Sequence, residues 1–311
     1  MVLRSEIRRV QVLISPRAAA WWSKPATQRM FARHGGDHHV EMVYQFSLDA
    51  ADGRKKARRA VDEEVDAIFV IGGDGMVNTI GSEIVGTSVA LGVIPAGSGN
   101  GFARHFDIPL NPSRSVQAIL GGEIRTIDVG MANGRAFFVT CSMAWDAALV
   151  RSFEKFPVRG VFPYIFAAAQ EFVAYRPQPF DVLFDDDEMM SFPSPLIFTA
   201  ANLTQYGGGA RIAPRASPDD GWLELVAVSK RDAPRLVASL NRLFDGTFDR
   251  LPGVFSRQFR RMQVRRTKPA PIQVDGELIE SPREVEITLL PKSLNVLVPK
   301  TVEAKRPRKL W

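Results

Sequence analysis

Cysteine and histidine are both scarce in this chain. One cysteine, Cys141, stands among 311 residues. That excludes an internal disulfide and any multi-cysteine metal cluster, and it fits a reducing, cytoplasmic setting. The four histidines, His34, His38, His39 and His105, show no H-E-x-x-H spacing, which excludes a helix-borne zinc site. No stretch approaches the roughly 18–20 uninterrupted apolar residues of a membrane span. The richest, Val161 to Tyr175, is broken by Pro163, Gln170 and Glu171. The start, MVLRSEIRRVQVLISP, carries too many charges for the apolar core of a signal peptide. No G-x-G-x-x-G follows the first predicted strand, so the dinucleotide fingerprint of dehydrogenases is missing. Ser98 lies in G-S-G-N-G and not in G-x-S-x-G, which removes a hydrolase elbow. The expectation is a chain that is soluble or sits on a membrane surface.

What is present points to a globular protein. The chain is 45% hydrophobic and 24% charged, enough apolar material for one large domain or two ordinary ones. A net charge of +6 and a pI near 9.6 favour anionic partners such as nucleotide phosphates, anionic lipid or nucleic acid. Two basic stretches stand out, RKKARR from Arg54 to Arg59 and the tail KTVEAKRPRKLW. A solvated face is the simplest reading of each. No nucleic-acid module or aromatic stacking motif accompanies the charge, so no nucleic-acid partner is expected.

The first part alternates between predicted strands and helices. Strands are predicted at Arg8 to Pro16, Val40 to Phe46, Ala67 to Ile71 and Val89 to Pro95. Helices are predicted at Thr27 to Gly35, Asp52 to Glu64, Val77 to Val85, from Asn100 onward, and at Arg114 to Gly122. Nearly all-apolar strands alternating with helices imply an α/β domain with a parallel sheet covered on both faces. The rhythm changes near Arg125. Asn133-Gly134 between two β-rich runs is a hairpin signal, and short strands with turn residues between them follow. Helices interrupt them at about Phe162 to Tyr175 and at Ala233 to Phe244. The second part therefore reads as mainly antiparallel β. The division expected is an α/β domain over 1–127, rejoined by about 291–300, a β-rich domain over 128–290, and a basic tail over 301–311.

Two glycine-rich turns draw attention. The strand AIFVI runs into Gly72-Gly73-Asp74-Gly75, and the next strand ends in PAGSGNGFARHF, with Gly97, Ser98, Gly99 and Asn100. Open α/β sheets bind ligands at such carboxyl ends. Glycine admits close backbone approach to a phosphate, and a helix start near Met76 adds its positive end. Ser98 can donate to a phosphate oxygen, and Asn100 can cap the following helix. A plain strand-to-helix turn is the competing reading of each motif singly; the pair on successive strands weakens it.

The second part holds Asp219-Asp220-Gly221 and Asp275-Gly276-Glu277. Asp-Gly is a favoured hairpin turn, which explains each on its own. Phosphoryl transfer would also need such groups, one carboxylate to take a proton and others to hold Mg²⁺.

Together these stretches resemble the diacylglycerol kinase and sphingosine kinase family of lipid kinases. The carriers are GGDG followed by Asn78, PAGSGNGFAR, IDVGMANGRAFFVT, ANLTQYGGGARIAPRASPDDGWLEL and VDGE, in order over nearly the whole chain. The resemblance implies an NAD kinase/phosphofructokinase-like α/β domain, a β-rich lipid domain, and ATP in the cleft between them. It implies nucleotide contacts at Gly72, Gly73, Asp74, Gly75, Asn78, Gly97, Ser98, Gly99 and Asn100. It makes Asp275 the base on the lipid hydroxyl, with Glu277 beside it. It places Mg²⁺ on Asp220, with the carbonyls of Ser217 and Trp222. The last strand, at Ser293 to Pro299, is implied to return to the first domain. A lipid acceptor is the partner the resemblance implies; peripheral contact with the inner surface of a membrane is a further expectation, and a homodimer is a guess that the sequence does not decide.

The aromatic insert (Phe153, Phe156, Phe162, Tyr164, Phe166, Phe172) and the basic tail are candidate lipid contacts, with ordinary core as the competing reading of the insert. The chain departs from the family pattern at SPRAAAWW after the first strand, at Met76 where threonine is usual, and at Thr79 where glutamate is usual. Met76 and Thr79 motivate one alternative, a lipid- or nucleotide-binding relative without turnover; the GGDG turn, which also resembles that of NAD kinases and phosphofructokinases, gives another, a kinase for a soluble acceptor such as NAD.

Overall fold

The computed structural model describes residues 7–19, 23–35, 40–145, 147 and 175–300. The aromatic insert, the basic tail and the His38-His39 pair lie outside the described residues.

The first half forms as its apolar runs dictate. β1 (Arg9–Ile14), β2 (Glu41–Phe46), β3 (Ala67–Gly72) and β4 (Ala90–Pro95) lie parallel in the order β2-β1-β3-β4. Every residue of β3 and β4 is buried, because α1 (Pro16–Ala19), α2 (Lys24–Gly35), α3 (Ala50–Asp62), α4 (Asp74–Gly81) and α6 (Pro112–Leu120) cover the sheet. Burying one such Val, Leu or Ile side chain contributes about 1.5–3 kcal/mol. Asp49 caps α3 by accepting from the Asp52 amide, and Asn111 caps α6 through Arg114.

α4 begins at Asp74, on Gly73 as its N-cap, and ends at Gly81. It thus starts sooner and stops sooner than the predicted Val77 to Val85. Starting at the glycines lets the turn feed directly into the helix.

The second half divides its strands between two sheets. One is fully antiparallel: β12 (Val254–Phe259), β11 (Leu223–Ser229), β10 (Pro195–Ala201), β7 (Thr140–Ser142), β14 (Ile272–Val274) and β15 (Glu277–Ile279). The others, β6 (Arg135–Phe137), β8 (Phe180–Phe184), β9 (Glu188–Phe192) and β13 (Arg261–Arg266), belong to the first sheet.

The connector is β16 (Glu284–Val298), which pairs antiparallel with β13 at one end and parallel with β4 at the other, Asn295 opposite Ala90. β5 (Glu123–Ala132) runs antiparallel along it, from Ile287 opposite Ala132 to Val298 opposite Glu123. Ile127, expected to mark the domain boundary, lies inside β5.

Two of the three Asx-Gly pairs that read as hairpin turns close hairpins; Asp220-Gly221 does not, because β11 follows a 21-residue connection from β10 and only Gly221 is left-handed, at φ 81°. Asn133 and Gly134 (φ 47° and 79°), and Asp275 and Gly276 (φ 46° and 89°), take left-handed backbones. A two-residue hairpin of this twist demands that conformation. The predicted helix from Ala233 to Phe244 is broken at Ser239 into α7 (Ala233–Ala238) and α8 (Arg242–Asp245).

Candidate active site

The two glycine turns meet at the carboxyl ends of β3 and β4, after Gly72 pairs with Pro95. Their backbones touch: a Cβ on Gly97 would lie 2.6 Å from the Gly73 Cα. Glycine at this contact is a packing requirement, since no side chain fits between the two loops. Gly97 and Ser98 are exposed, while Gly75 and Gly99 are half-buried, so these positions form the accessible lip.

Asp74 turns towards the second loop. Its Oδ2 accepts from the Gly101 amide at 2.9 Å and its Oδ1 from Phe102 at 3.0 Å. The carboxylate among the glycines therefore caps α5 (Gly101–His105), and burial raises its pKa against the pull of those amides. Asn100, the expected cap, makes no capping bond. It sits in the left-handed region at φ 50°. Its side chain bonds both ways with Gly97, accepting from the amide at 2.9 Å and donating to the carbonyl at 2.8 Å. The reason is steric: a left-handed Asn100 aims its amide back into its own loop, leaving the helix start to Asp74.

A glycine arm closes over this loop. Gly208 N–H donates to the Gly99 carbonyl at 3.0 Å, and the Arg104 Nε reaches the same oxygen at 3.1 Å. Gly207, at φ 131°, lies so near that a Cβ would come within 3.1 Å of the Gly99 Cα.

The second cluster joins the halves. Asp275 is 5% exposed, and its carboxylate accepts four hydrogen bonds. Oδ1 takes the Val139 and Thr140 amides at 2.8 and 3.0 Å. Oδ2 takes the Phe138 amide at 2.7 Å and Asn78 Nδ2 at 2.8 Å. Asn78, also buried, donates to the Ala136 carbonyl at 2.9 Å as well. Burial pushes the Asp275 pKa up to about 6, although all four hydrogen bonds favour its charge.

A carboxylate offers about four acceptor positions, so Asp275 has none left for a ligand in this state. Glu277 differs. Its Oε2 pairs with Arg135 Nη2 at 2.6 Å, and its Oε1 lies 3.9 Å from where a Gly75 Cβ would stand. The half-exposed carboxylate that faces the first glycine loop is thus Glu277.

The third cluster is the loop from Ser217 to Trp222. Asp219 is neutralised by Arg125 at 2.6 Å and takes the Ser217 hydroxyl at 3.0 Å. Asp220 Oδ1 accepts from the Trp222 amide at 3.0 Å. No group of three or more His, Cys, Asp or Glu side chains gathers among the described residues. A hard cation here would draw on backbone oxygens, which suits Mg²⁺ or Ca²⁺ and not zinc. Asp128, wholly buried, fastens this loop through Gly221 N–H at 2.8 Å and also takes the Lys292 amide at 2.8 Å.

Comparison with known proteins decides the family. Residues 9–132 match the diacylglycerol kinase catalytic domain, and residues 140–298 match the YegS C-terminal NAD kinase beta sandwich-like domain. A diacylglycerol kinase of Mycobacterium tuberculosis is 31% identical over 307 residues, covering 96% of this chain and 97% of that one.

The chain belongs to the diacylglycerol kinase family.

A probable lipid kinase YegS-like of Chromohalobacter salexigens is 30% identical over 227 residues, 68% of this chain and 70% of that one. A putative diacylglycerol kinase from Bacillus anthracis shares the fold, with a TM-score of 0.74 at 17% identity, covering 96% of this chain and 99% of that chain. Family membership makes the chain a kinase relative of the lipid-kinase type. No helix among the described residues is long and apolar enough to cross a membrane.

Three residues of this kinase-family site escaped the sequence reading. Asp128 and Arg104 lie inside quoted motifs, IDVG and GFAR, but only their hydrogen bonds reveal what they hold. Arg135 follows the Asn133-Gly134 hairpin, and nothing local in the sequence ties it to Glu277.

Proposed function

We propose that the protein is an ATP-dependent lipid kinase of lipid metabolism, moving the γ-phosphoryl group of ATP to the hydroxyl of a diacylglycerol or sphingoid-base type lipid. The observation that carries this reading is the Glu277 carboxylate beside the first glycine loop, held there by the saturated Asp275 and by Arg135. The family supports the kinase class, and the geometry supports the roles.

In this reading the lip formed by Gly75, Gly97, Ser98 and Gly99 receives the phosphates, with Arg104 as the nearby cation. Gly72, Gly73, Asp74, Asn78 and Asn100 shape that lip and need not touch the nucleotide. The acceptor oxygen bonds to the γ-phosphorus as the bond to the β–γ bridging oxygen breaks. Its proton passes to Glu277, and ADP leaves. Asp275 then acts as a positioning residue, which reverses the order of roles implied by the family resemblance. The reason is that its acceptor positions are already filled. Mg²⁺ would be held by Asp220 and the carbonyls of Ser217 and Trp222, where it would offset phosphate charge.

The test is transfer from labelled ATP with Mg²⁺ to a panel of diacylglycerol, sphingoid base, ceramide and phospholipid in mixed micelles, with NAD as a soluble acceptor. Transfer to one lipid that is lost in Glu277→Gln supports the reading and names the substrate. Transfer to NAD alone replaces the lipid acceptor. ATP binding with no transfer to any acceptor leaves a binding relative, with Met76 and Thr79 as the first positions to restore.

A further inference from the structure

One surface of the β half is apolar where a lone globular chain should be polar. Val237 in α7, Leu240 in the turn after it and Phe244 in α8 are 61%, 47% and 61% exposed. The segment is anchored: Ala233 and Leu236 of α7, with Phe248 and Leu251 just after α8, enter a buried cluster. The segment is thus firmly seated and still presents three large apolar side chains outward. Exposed apolar residues scattered singly need no explanation, but three within eight residues of one seated segment do.

The charges around them are sorted by depth. Arg231 and Arg235, with side chains 86% and 69% exposed, share Asp232, which is only 15% exposed. Arg215, 69% exposed, covers Asp249, at 4%. Arg211 is exposed and lies against Gly246 at the end of α8. Asp245, beside Phe244, is itself exposed, but Asp232 and Asp249 sit beneath and four guanidinium groups stand out, so the rim is basic on balance. Arginines around an apolar tip match an anionic bilayer, whose headgroups meet the cations while its acyl region takes the side chains.

The position ties this tip to the kinase site. Phe244 Cδ1 lies 3.9 Å from where a Gly209 Cβ would stand. The Arg211 amide donates to the Leu243 carbonyl at 2.6 Å, and Gly208 in the same arm bonds Gly99 of the second glycine loop at 3.0 Å.

We propose that the α7–α8 segment, residues 233–245, is the element that docks the protein on anionic membranes, with Leu240 and Phe244 entering the bilayer. The inference deepens the lipid-kinase reading by naming how the enzyme would meet its acceptor. The experiment is sedimentation of the full chain with phosphatidylcholine vesicles, with and without phosphatidylglycerol, in the absence of nucleotide. Wild type should bind the anionic vesicles preferentially. Leu240→Asn/Phe244→Asn should bind them ~tenfold more weakly or worse, with unchanged thermal unfolding, because both side chains are already exposed.

Phe244→Cys carrying an environment-sensitive dye should shift to the blue on those vesicles; Cys141, the sole native thiol, is fully buried. Equal vesicle binding by the double variant, or a dye that does not respond, overturns the proposal. So does a protein dimer that the double variant abolishes while vesicle binding stays unchanged, since the tip would then belong to a second copy. Transfer to a short-chain, water-soluble acceptor lipid should survive in the double variant. Loss of vesicle binding with that transfer intact separates docking from chemistry, and absence of transfer in wild type would count against the kinase reading alone.

Discussion

Asn78 Nδ2 donates to Asp275 Oδ2 at 2.8 Å across 197 residues of sequence. One bond thereby links the helix that follows the first glycine loop to the turn that carries Glu277. Around it, three successive amides, Phe138 to Thr140, complete the clamp on the same carboxylate.

Breaking that bond should cost stability and geometry together. Asn78→Ala leaves a buried, charged acceptor one partner short, a loss of ~1–3 kcal/mol. Asp275→Ala orphans three buried amides and should cost ~3 kcal/mol or more. Urea unfolding of both single variants and the double variant gives the coupling, expected at ~0.5–3 kcal/mol. Strict additivity would mean that the contact carries no energy.

Glu277→Gln separates chemistry from folding. Glu277 is half-exposed and bonded on one oxygen only by Arg135, so its unfolding midpoint should stay put. Its kcat should fall by ~10²–10⁴, the usual worth of a positioned general base. A kcat within twofold of wild type would return the base to Asp275.

Activity should rise with pH around 6. Asp275 is pushed up to about 6 by burial, and all four of its partners are donors. Protonation places an O–H against one of them and loosens the turn. The ionised form dominates above that pH, so kcat/KM climbs through it and then levels. Asp275→Asn should be inactive at every pH. An unchanged acid limb in a stable variant with Asn78→Ala, which removes one of the four bonds, would assign the titration elsewhere.

Gly97→Ala should damage nucleotide binding more than the fold. The added Cβ meets the Gly73 backbone at 2.6 Å, so the loops must part. We expect KM for ATP to rise severalfold with kcat less affected. Asp74→Ala removes the α5 cap and should cost ~1 kcal/mol of stability. Initial rates over a range of ATP concentrations distinguish the two variants.

His105 should weaken the protein in acid. Its Nδ1 accepts from the Thr204 amide at 3.3 Å. Burial first, and then Arg125, lower its pKa from 6.5 to about 4. Below pH 6.5 the unfolded chain takes up a proton that the native state refuses, so stability falls until about pH 4. The full effect is about 2 kcal/mol once partial solvent exposure is allowed for. Asp275, whose native pKa is raised, works in the opposite direction over part of this window. The His105 share is therefore the difference between wild type and His105→Gln in urea midpoints from pH 7 to 4. Parallel curves would remove it.

The sequence by itself determined what local chemistry can encode. β3 and β4 are apolar at nearly every position because helices cover both faces, and that pattern is visible without coordinates. Asn133-Gly134 and Asp275-Gly276 declare their hairpins because few residues accept a positive φ. The order of the five motifs marked the family. Edge strands were harder. β9 (EMMSF) and β12 (VFSRQF) alternate weakly because each is paired on one side only.

Tertiary structure alone decided what each polar group does. Asp74 reads as a phosphate-loop carboxylate, yet it caps a helix that starts 27 residues later. Asn100 reads as that cap and instead closes its own loop. Asp275 reads as an open base and is saturated, while Glu277 faces the glycines. The physical reason is range. A φ preference or an apolar period acts within a few residues. The partner that fills a carboxylate's acceptor positions depends on which distant backbones the fold brings within 3 Å or so of it.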